Sequence, residues 1–209
     1  MLPASGISCL TWKFLGWYQE ASGLSLNSSN VNPLGSTKAE VSDLHTCFSM
    51  ASTSAGDAYS YQVFLSFRGA DTRKNFTDHL YTALVANGIR TFRDNEGVEK
   101  GGEIKLHLIK AIELSRISVI VLSKNYAHSK WCLEELLKIV ECLRERGQIV
   151  LPVFYHVDPS QIRNQTGVYS EVFADYERNA DQTKKEMIQK WRSALREVAN
   201  LAGYELQTE

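Results

Sequence analysis

The sequence predicts a doubly wound α/β domain, a parallel sheet with helices on both faces. Three observations carry that reading. Residues 61–67 (YQVFLSF) form a dense run of aromatic and β-branched residues, the composition of a strand buried on both faces. The run breaks at Ser66–Gly69 and leads into a segment whose apolar positions Phe76, Leu80, Ala83 and Leu84 recur at helical spacing. Strand and helix patterns of this length then alternate down the chain, which builds a parallel sheet through right-handed crossovers. The commoner five-strand order, 2-1-3-4-5, sets strand one beside strand three and opens the ligand crevice at that switch point.

The elements follow in order. Helix one is expected from about Thr72 to Ala86, with Asn75 near its start and Asn87-Gly88 as its stop. Residues 89–92 (IRTF) read as a short second strand, and 93–102 as a polar loop with three glycines that reaches the crevice as a lid. Helix two carries Ile104, Leu108, Ala111 and Ile112 at helical spacing, and residues 117–122 (ISVIVL) are a continuous buried strand three. Helix three has Leu133, Leu136, Leu137 and Val140 as its buried stripe. In strand four, residues 148–155, Pro152 removes a ladder donor and predicts a bulge or a locally unpaired edge. Asp158-Pro159 opens a loop, a weaker helix lies near 169–178, and a last helix over about 184–202 buries Met187, Trp191, Leu195 and Val198. No fifth strand is placed.

The bulk properties narrow the function. With 23 basic against 24 acidic residues there is no nucleic-acid footprint, and no apolar run approaches the ~20 residues of a membrane span. Cys9, Cys47, Cys132 and Cys142 show neither C-x-x-C spacing nor a dense framework, and read as reduced thiols of a cytoplasmic or nuclear protein. Residues 1–57, rich in Ser, Asn and Gly without a sustained period, read as a disordered N-terminal extension before a domain over 58–204 and a tail over 205–209. Met50 stands as a second start directly before that domain.

By topology the crevice walls are Ser66–Gly69 after strand one and the stretch from Ser123 to about Glu135 after strand three. Taking Leu133 as the buried direction at ~100° per residue, Trp131 and Glu135 both point away from the stripe, a platform and a carboxylate for a planar or cationic ligand. Glu134, turned by ~100°, is the poorer candidate. A solvated glutamate beside a tryptophan packed under a loop is the commoner arrangement on helices. Arg68, Arg90 and Arg93 are expected near the same mouth, where guanidinium groups suit phosphate. The run from Gly97 to Ile104 has P-loop glycine spacing, but Glu103 and Ile104 stand where Lys and Ser/Thr are required. The histidines are scattered without metal-ligand spacing.

Four motifs, FLSFRGADTR from Phe64, SKNYA from Ser123, SKWCLEEL from Ser129 and PVFYHVDPS from Pro152, resemble those of plant Toll/interleukin receptor (TIR) domains of intracellular immune receptors. The resemblance runs from about Tyr59 to Tyr204. It implies a flavodoxin-like fold, cleavage of NAD+ (or NADP+) at the nicotinamide–ribose bond on self-association, cyclic ADP-ribose-type products among others, and signalling in defence and cell death. It implies Glu135 as the catalytic residue, with Phe67, Arg68, Gly69 and the 93–102 loop in the nucleotide pocket. Ser66, Arg93 and Trp131 complete the expected substrate contacts, and no cofactor or metal is implied. Where many members carry Ser-His on the self-association face of helix one, this chain has Asp78-His79.

A non-catalytic adaptor that recruits other TIR domains is the competing reading, and the joint presence of Glu135 and Trp131 favours the enzyme. A receiver domain would need acidic residues where Ser66 and Ser123 stand. Since residues 1–49 offer no periodic apolar face, their removal is expected to leave the melting temperature unchanged. A fall of several degrees would show instead that they pack on the domain.

Overall fold

The computed structural model describes residues 59–94 and 102–207 together with Gly16, giving backbone alone for 102–105. The expected N-terminal extension, the glycines of the 95–101 loop and the side chain of Ile104 lie outside the described residues. Within the compact unit Tyr59–Glu209, the strands β1 (Tyr61–Phe67), β2 (Thr91–Arg93), β3 (Ser115–Ser123), β4 (Ile149–Tyr155) and β5 (Tyr204–Leu206) form one parallel sheet in the order β2-β1-β3-β4-β5. The helices are α1 (Gly69–Thr72), α2 (Phe76–Ala86), α3 (Gly102–Glu113), α4 (Lys130–Arg146), α5 (Pro159–Asn164), α6 (Val168–Glu177) and α7 (Gln182–Val198), with a single 3-10 turn at Tyr126–His128 among the described residues. None of these helices is long and apolar enough to cross a membrane.

Strand alternation divides the core. Phe64, Ile120, Leu122, Val150 and Phe154 project into a cluster with Leu108 and Ile112 of α3, Leu136 of α4, Phe173 of α6 and Leu195 of α7. The opposite parity ends in Tyr155, whose ring lies 5.4 Å from that of Phe76 on α2. Helix one and the last helix therefore occupy opposite faces of the sheet.

Several local expectations change. Helix one divides into α1 and α2, because Asn75 caps a fresh start and its side chain accepts the Phe76 N–H at 2.6 Å. Strand two begins at Thr91, two residues later than its apolar run suggests. Pro152 causes no bulge, since β4 keeps continuous register with β3 from Ile149 to Tyr155. Its missing donor falls on the other side, where pairing with β5 begins only at Val153. Asp158-Pro159 opens a helix rather than a loop: Asp158 accepts the Ser160 N–H at 2.7 Å and Pro159 takes the first helical position. On α7, Met187 is exposed and Ile188 is the buried residue. The unplaced fifth strand is three residues long, too short to carry an alternation signal.

Gly203 leads into β5 where no side chain fits. A Cβ there would stand 2.7 Å from Pro152 Cγ and closer still to the Pro152 carbonyl oxygen, a backbone atom that cannot rotate aside. Gly203→Ala is expected to destabilise the domain by about 1–3 kcal/mol, seen as a lowered melting temperature. An unchanged melt would show that β5 can slide off Pro152 freely.

Candidate active site

The site is set by two ends, the C-terminal end of β1 and the N-terminal end of α4. Ser129 caps α4 by accepting the Cys132 N–H at 3.2 Å, which places Trp131, Cys132 and Glu135 in its opening turns. Ser66, two residues beyond Phe64 and on the same face of β1, is fully buried. Its hydroxyl lies 2.7 Å from Glu135 Oε2 and 2.8 Å from the phenolic oxygen of Tyr126. Tyr126, also fully buried, donates to the backbone carbonyl of Cys132 at 3.0 Å.

Glu135 is 6% exposed, so the expectation that it stands off the buried face is corrected. An apolar stripe reads as the one covered side of a surface helix. In fact α4 packs against α3 on one flank and α7 on the other, and most of its circumference is covered. Trp131 is likewise partly buried against the core rather than free. Burial pushes the Glu135 carboxyl up to about 8; hydrogen bonds from Ser66 and Trp131 oppose this, while the charge of Asp94 adds to it. The Cys132 thiol, pushed up by burial to about 12 and set 3.5 Å from the Phe67 carbonyl, is no nucleophile at neutral pH.

Glu135 lines a pocket between α3 and α4 with Leu108, Ile109, Ile112, Trp131, Glu134 and Lys138. It is open to solvent on one side, and its lining is mostly apolar apart from Glu134, Glu135 and Lys138. At the outer lip Arg68 is paired with Asp71, whose second oxygen accepts from Ser123 Oγ at 2.5 Å. Tyr169 holds Ser123 from behind, donating to its carbonyl at 2.8 Å.

The other expected contacts are scattered. Arg90 is not at the mouth: it bonds the Tyr59 carbonyl and the Gln62 side chain at the opposite end of the strands. Arg93 shares a face with Leu65 and turns to α2, where it pairs with Asp78 at 2.7 Å and lies over Tyr81. The Phe67 ring lies on the face away from Glu135, under the Arg73 guanidinium. Gly69 opens α1 with the Arg73 guanidinium stacked 2.9 Å from where a Cβ would be. Asp78 and His79 are exposed on α2. Sequence reasoning missed Tyr126 and Asp71, since a tyrosine in the polar stretch 123–130 (SKNYAHSK) and an aspartate just after the turn carry no signal of their own. Among the described residues no cluster of His, Cys, Asp or Glu could hold a metal.

A five-stranded parallel α/β domain with a buried carboxyl at its switch-point crevice is the class so defined. The chain belongs to the TIR domain family, whose model matches residues 60–208. It is 54% identical to the disease resistance protein RPV1 of Vitis rotundifolia over 168 residues, 80% of this chain and 12% of that protein. With the TMV resistance protein N of Nicotiana glutinosa it shares 51% identity over 154 residues, 74% of this chain and 13% of the relative. The chain thus spans about an eighth of the length of these relatives. The TIR domains of the activated Roq1 resistosome, which recognises the pathogen effector XopQ, superpose with a TM-score of 0.65 at 50% identity, covering 70% of this chain and 88% of that one.

The raised Glu135 value has a measurable sign. A carboxyl raised from 4.5 to about 8 on folding contributes stability that is complete below about pH 4.5 and is lost as pH climbs through about 8. Glu135→Gln, neutral throughout, is expected to gain in melting temperature relative to the parent as pH rises from about 6 to about 9. Parallel melting curves for the two across that range would show that Glu135 ionises without penalty.

Proposed function

We propose that this domain is an NAD+ glycohydrolase (a hydrolase that breaks the nicotinamide–ribose bond) acting in plant defence signalling. The observation that carries this is the Glu135 carboxyl, buried beside the Trp131 indole and lining a pocket between α3 and α4. When the bond from ribose C1′ to the nicotinamide nitrogen breaks, the electron pair leaves with nicotinamide, which departs neutral and needs no general acid. Positive charge develops on the ribose, as in glycoside hydrolysis. An ionised carboxylate in a water-poor site stabilises that charge more strongly than it would in water. The cationic pyridinium of NAD+ itself favours ionisation of Glu135 as it enters. Water captures the ribosyl cation and loses a proton; capture by a group of the same nucleotide would give a cyclic product. NADP+ differs only at the far ribose and fits the same chemistry.

Defence signalling is carried over from the relatives, which are disease resistance proteins. The presence of the Roq1 TIR domains in a resistosome supports activity on self-association, with the exposed Asp78 and His79 of α2 as part of the contact and cell death as the output. Action in the cytoplasm or nucleus completes the proposal.

The test is nicotinamide release from NAD+ at several protein concentrations. Activity per molecule is expected to rise with concentration, and Glu135→Gln to lose on the order of 100-fold or more in rate while staying folded. Glu135→Ala is the poorer probe, since it strands the Ser66 hydroxyl and empties a packed site, and the small stability effect of a surface glutamate does not apply to it. Glu134→Ala should stay active, and Trp131→Ala should fall between. Cleavage by Glu135→Gln at the parent rate would sink the enzyme reading and leave the recruiting adaptor.

A further inference from the structure

We propose that Ser66 and Tyr126 form with Glu135 a directed hydrogen-bond chain whose sense reverses when Glu135 gains or loses its proton, making Tyr126 a positioning residue for the carboxylate. Three oxygen–oxygen links stand in series, Glu135 to Ser66 at 2.7 Å, Ser66 to Tyr126 at 2.8 Å, and Tyr126 to the Cys132 carbonyl at 3.0 Å. Each link needs one proton, and the two hydroxyls supply only two. The third must come from the carboxyl. With Glu135 protonated, Glu135 donates to Ser66, Ser66 to Tyr126 and Tyr126 to Cys132, and all three links are filled. With Glu135 ionised, Ser66 must turn to the carboxylate and Tyr126 to Ser66, and Tyr126 lets go of the Cys132 carbonyl at the start of α4.

The chain is sealed. Ser66 and Tyr126 are both fully buried, so water cannot supply the missing proton from the side. The charged and titratable groups around Glu135 are otherwise few. Asp94 approaches from beyond β2, Arg68 stands at the lip paired with Asp71, and Cys132, Glu134 and Lys138 belong to its own helix. From α3 the neighbours are Leu108, Ile109 and Ile112. Of these groups, loss of the Tyr126 hydroxyl touches only Cys132, at its backbone carbonyl. The direction of burial on Glu135 agrees with a chain that is complete only in the protonated form.

This gives the two hydroxyls opposite effects, which a merely structural role would not. Removing the Tyr126 hydroxyl takes two links from the protonated form and one from the ionised form, so Tyr126→Phe should make Glu135 easier to ionise. Removing the Ser66 hydroxyl also takes two links from the protonated form, but it strips the buried carboxylate of a charge-assisted donor, and a buried charge left short of donors costs more than neutral links lost, so Ser66→Ala should make it harder.

The experiment is a carbon-13 NMR titration of the glutamate side-chain carboxyls in the full chain, with Glu135 assigned through Glu135→Gln. The Glu135 midpoint is expected to fall by up to about one pH unit in Tyr126→Phe and to rise by about one unit or more in Ser66→Ala. In the Ser66→Ala background, adding Tyr126→Phe should move it no further. A midpoint unmoved in Tyr126→Phe, shifts of the same sign in both variants, or a full Tyr126 effect without Ser66 would overturn the proposal. Should Tyr126→Phe not fold, an unmoved Ser66→Ala midpoint suffices to overturn it. The role at the reacting carboxylate rests on the NAD+ cleavage reading, but the titration does not. Shifts as expected in a protein that releases no nicotinamide would uphold the chain and sink the enzyme, whereas cleavage with unmoved midpoints would do the reverse.

Discussion

A carboxyl group held out of water at the end of a parallel strand is the constraint on which the rest of this structure turns. Isolating an ionised carboxylate from solvent costs several kcal/mol unless it is paired or protonated. Among the described residues no cation lies directly against Glu135, which is met by the Ser66 hydroxyl and the Trp131 indole. The fold supplies these neighbours by simple means. Strand parity puts Ser66 on the face of Phe64, register with β3 opposes it to Ile120, and the Ser129 cap sets the rotation of α4. The same desolvation that makes Glu135 reluctant to ionise gives its charge force once formed, because the field of a carboxylate is poorly screened there.

The lip of the crevice is built differently. Arg68, Asp71 and Ser123 tie the end of β1 to the end of β3, and Tyr169 fastens Ser123 to α6. Arg73 reaches the carbonyl of Asp94 at 2.7 Å and so connects α1 to the segment leaving β2. The lip is thus a closed set of ion pairs and hydrogen bonds, buried at Ser123 and Tyr169, with Arg68 as its more exposed member. On the proposed reading, an anionic diphosphate arriving there would compete with Asp71 for Arg68, while the buried carboxyl below waits on the cationic ring at the other end of the same substrate.

Much of this was legible before any coordinates. Continuous β-branched runs such as 117–122 announce strands covered on both faces, and Leu133, Leu136 and Val140 announce a buried helix side; both followed from periodicity. Strand order came from topology rules. What failed is equally physical. A hydrophobic stripe identifies the side of α4 that faces the sheet but is blind to the helices on its flanks, so Glu135 reads as solvated when it is buried. For Arg90 and Arg93 the local pattern carries no indication of which end or face of the sheet each side chain takes. Met187 shows the same weakness, a one-residue error in helix phase that Ile188 corrects. Tyr126 was hidden because its role depends on contacts with Ser66, sixty residues earlier in the chain.

On the proposed reading, NAD+ cleavage needs this one buried carboxyl in its ionised form. That requirement is tested most directly by kcat/KM for NAD+ cleavage by the parent protein from about pH 6 to about pH 9.5, a quantity that follows ionisation of the free enzyme. The account predicts a tenfold rise per pH unit that levels off near the Glu135 value of about 8. A profile that is flat through that region, or that falls as pH rises, would contradict it.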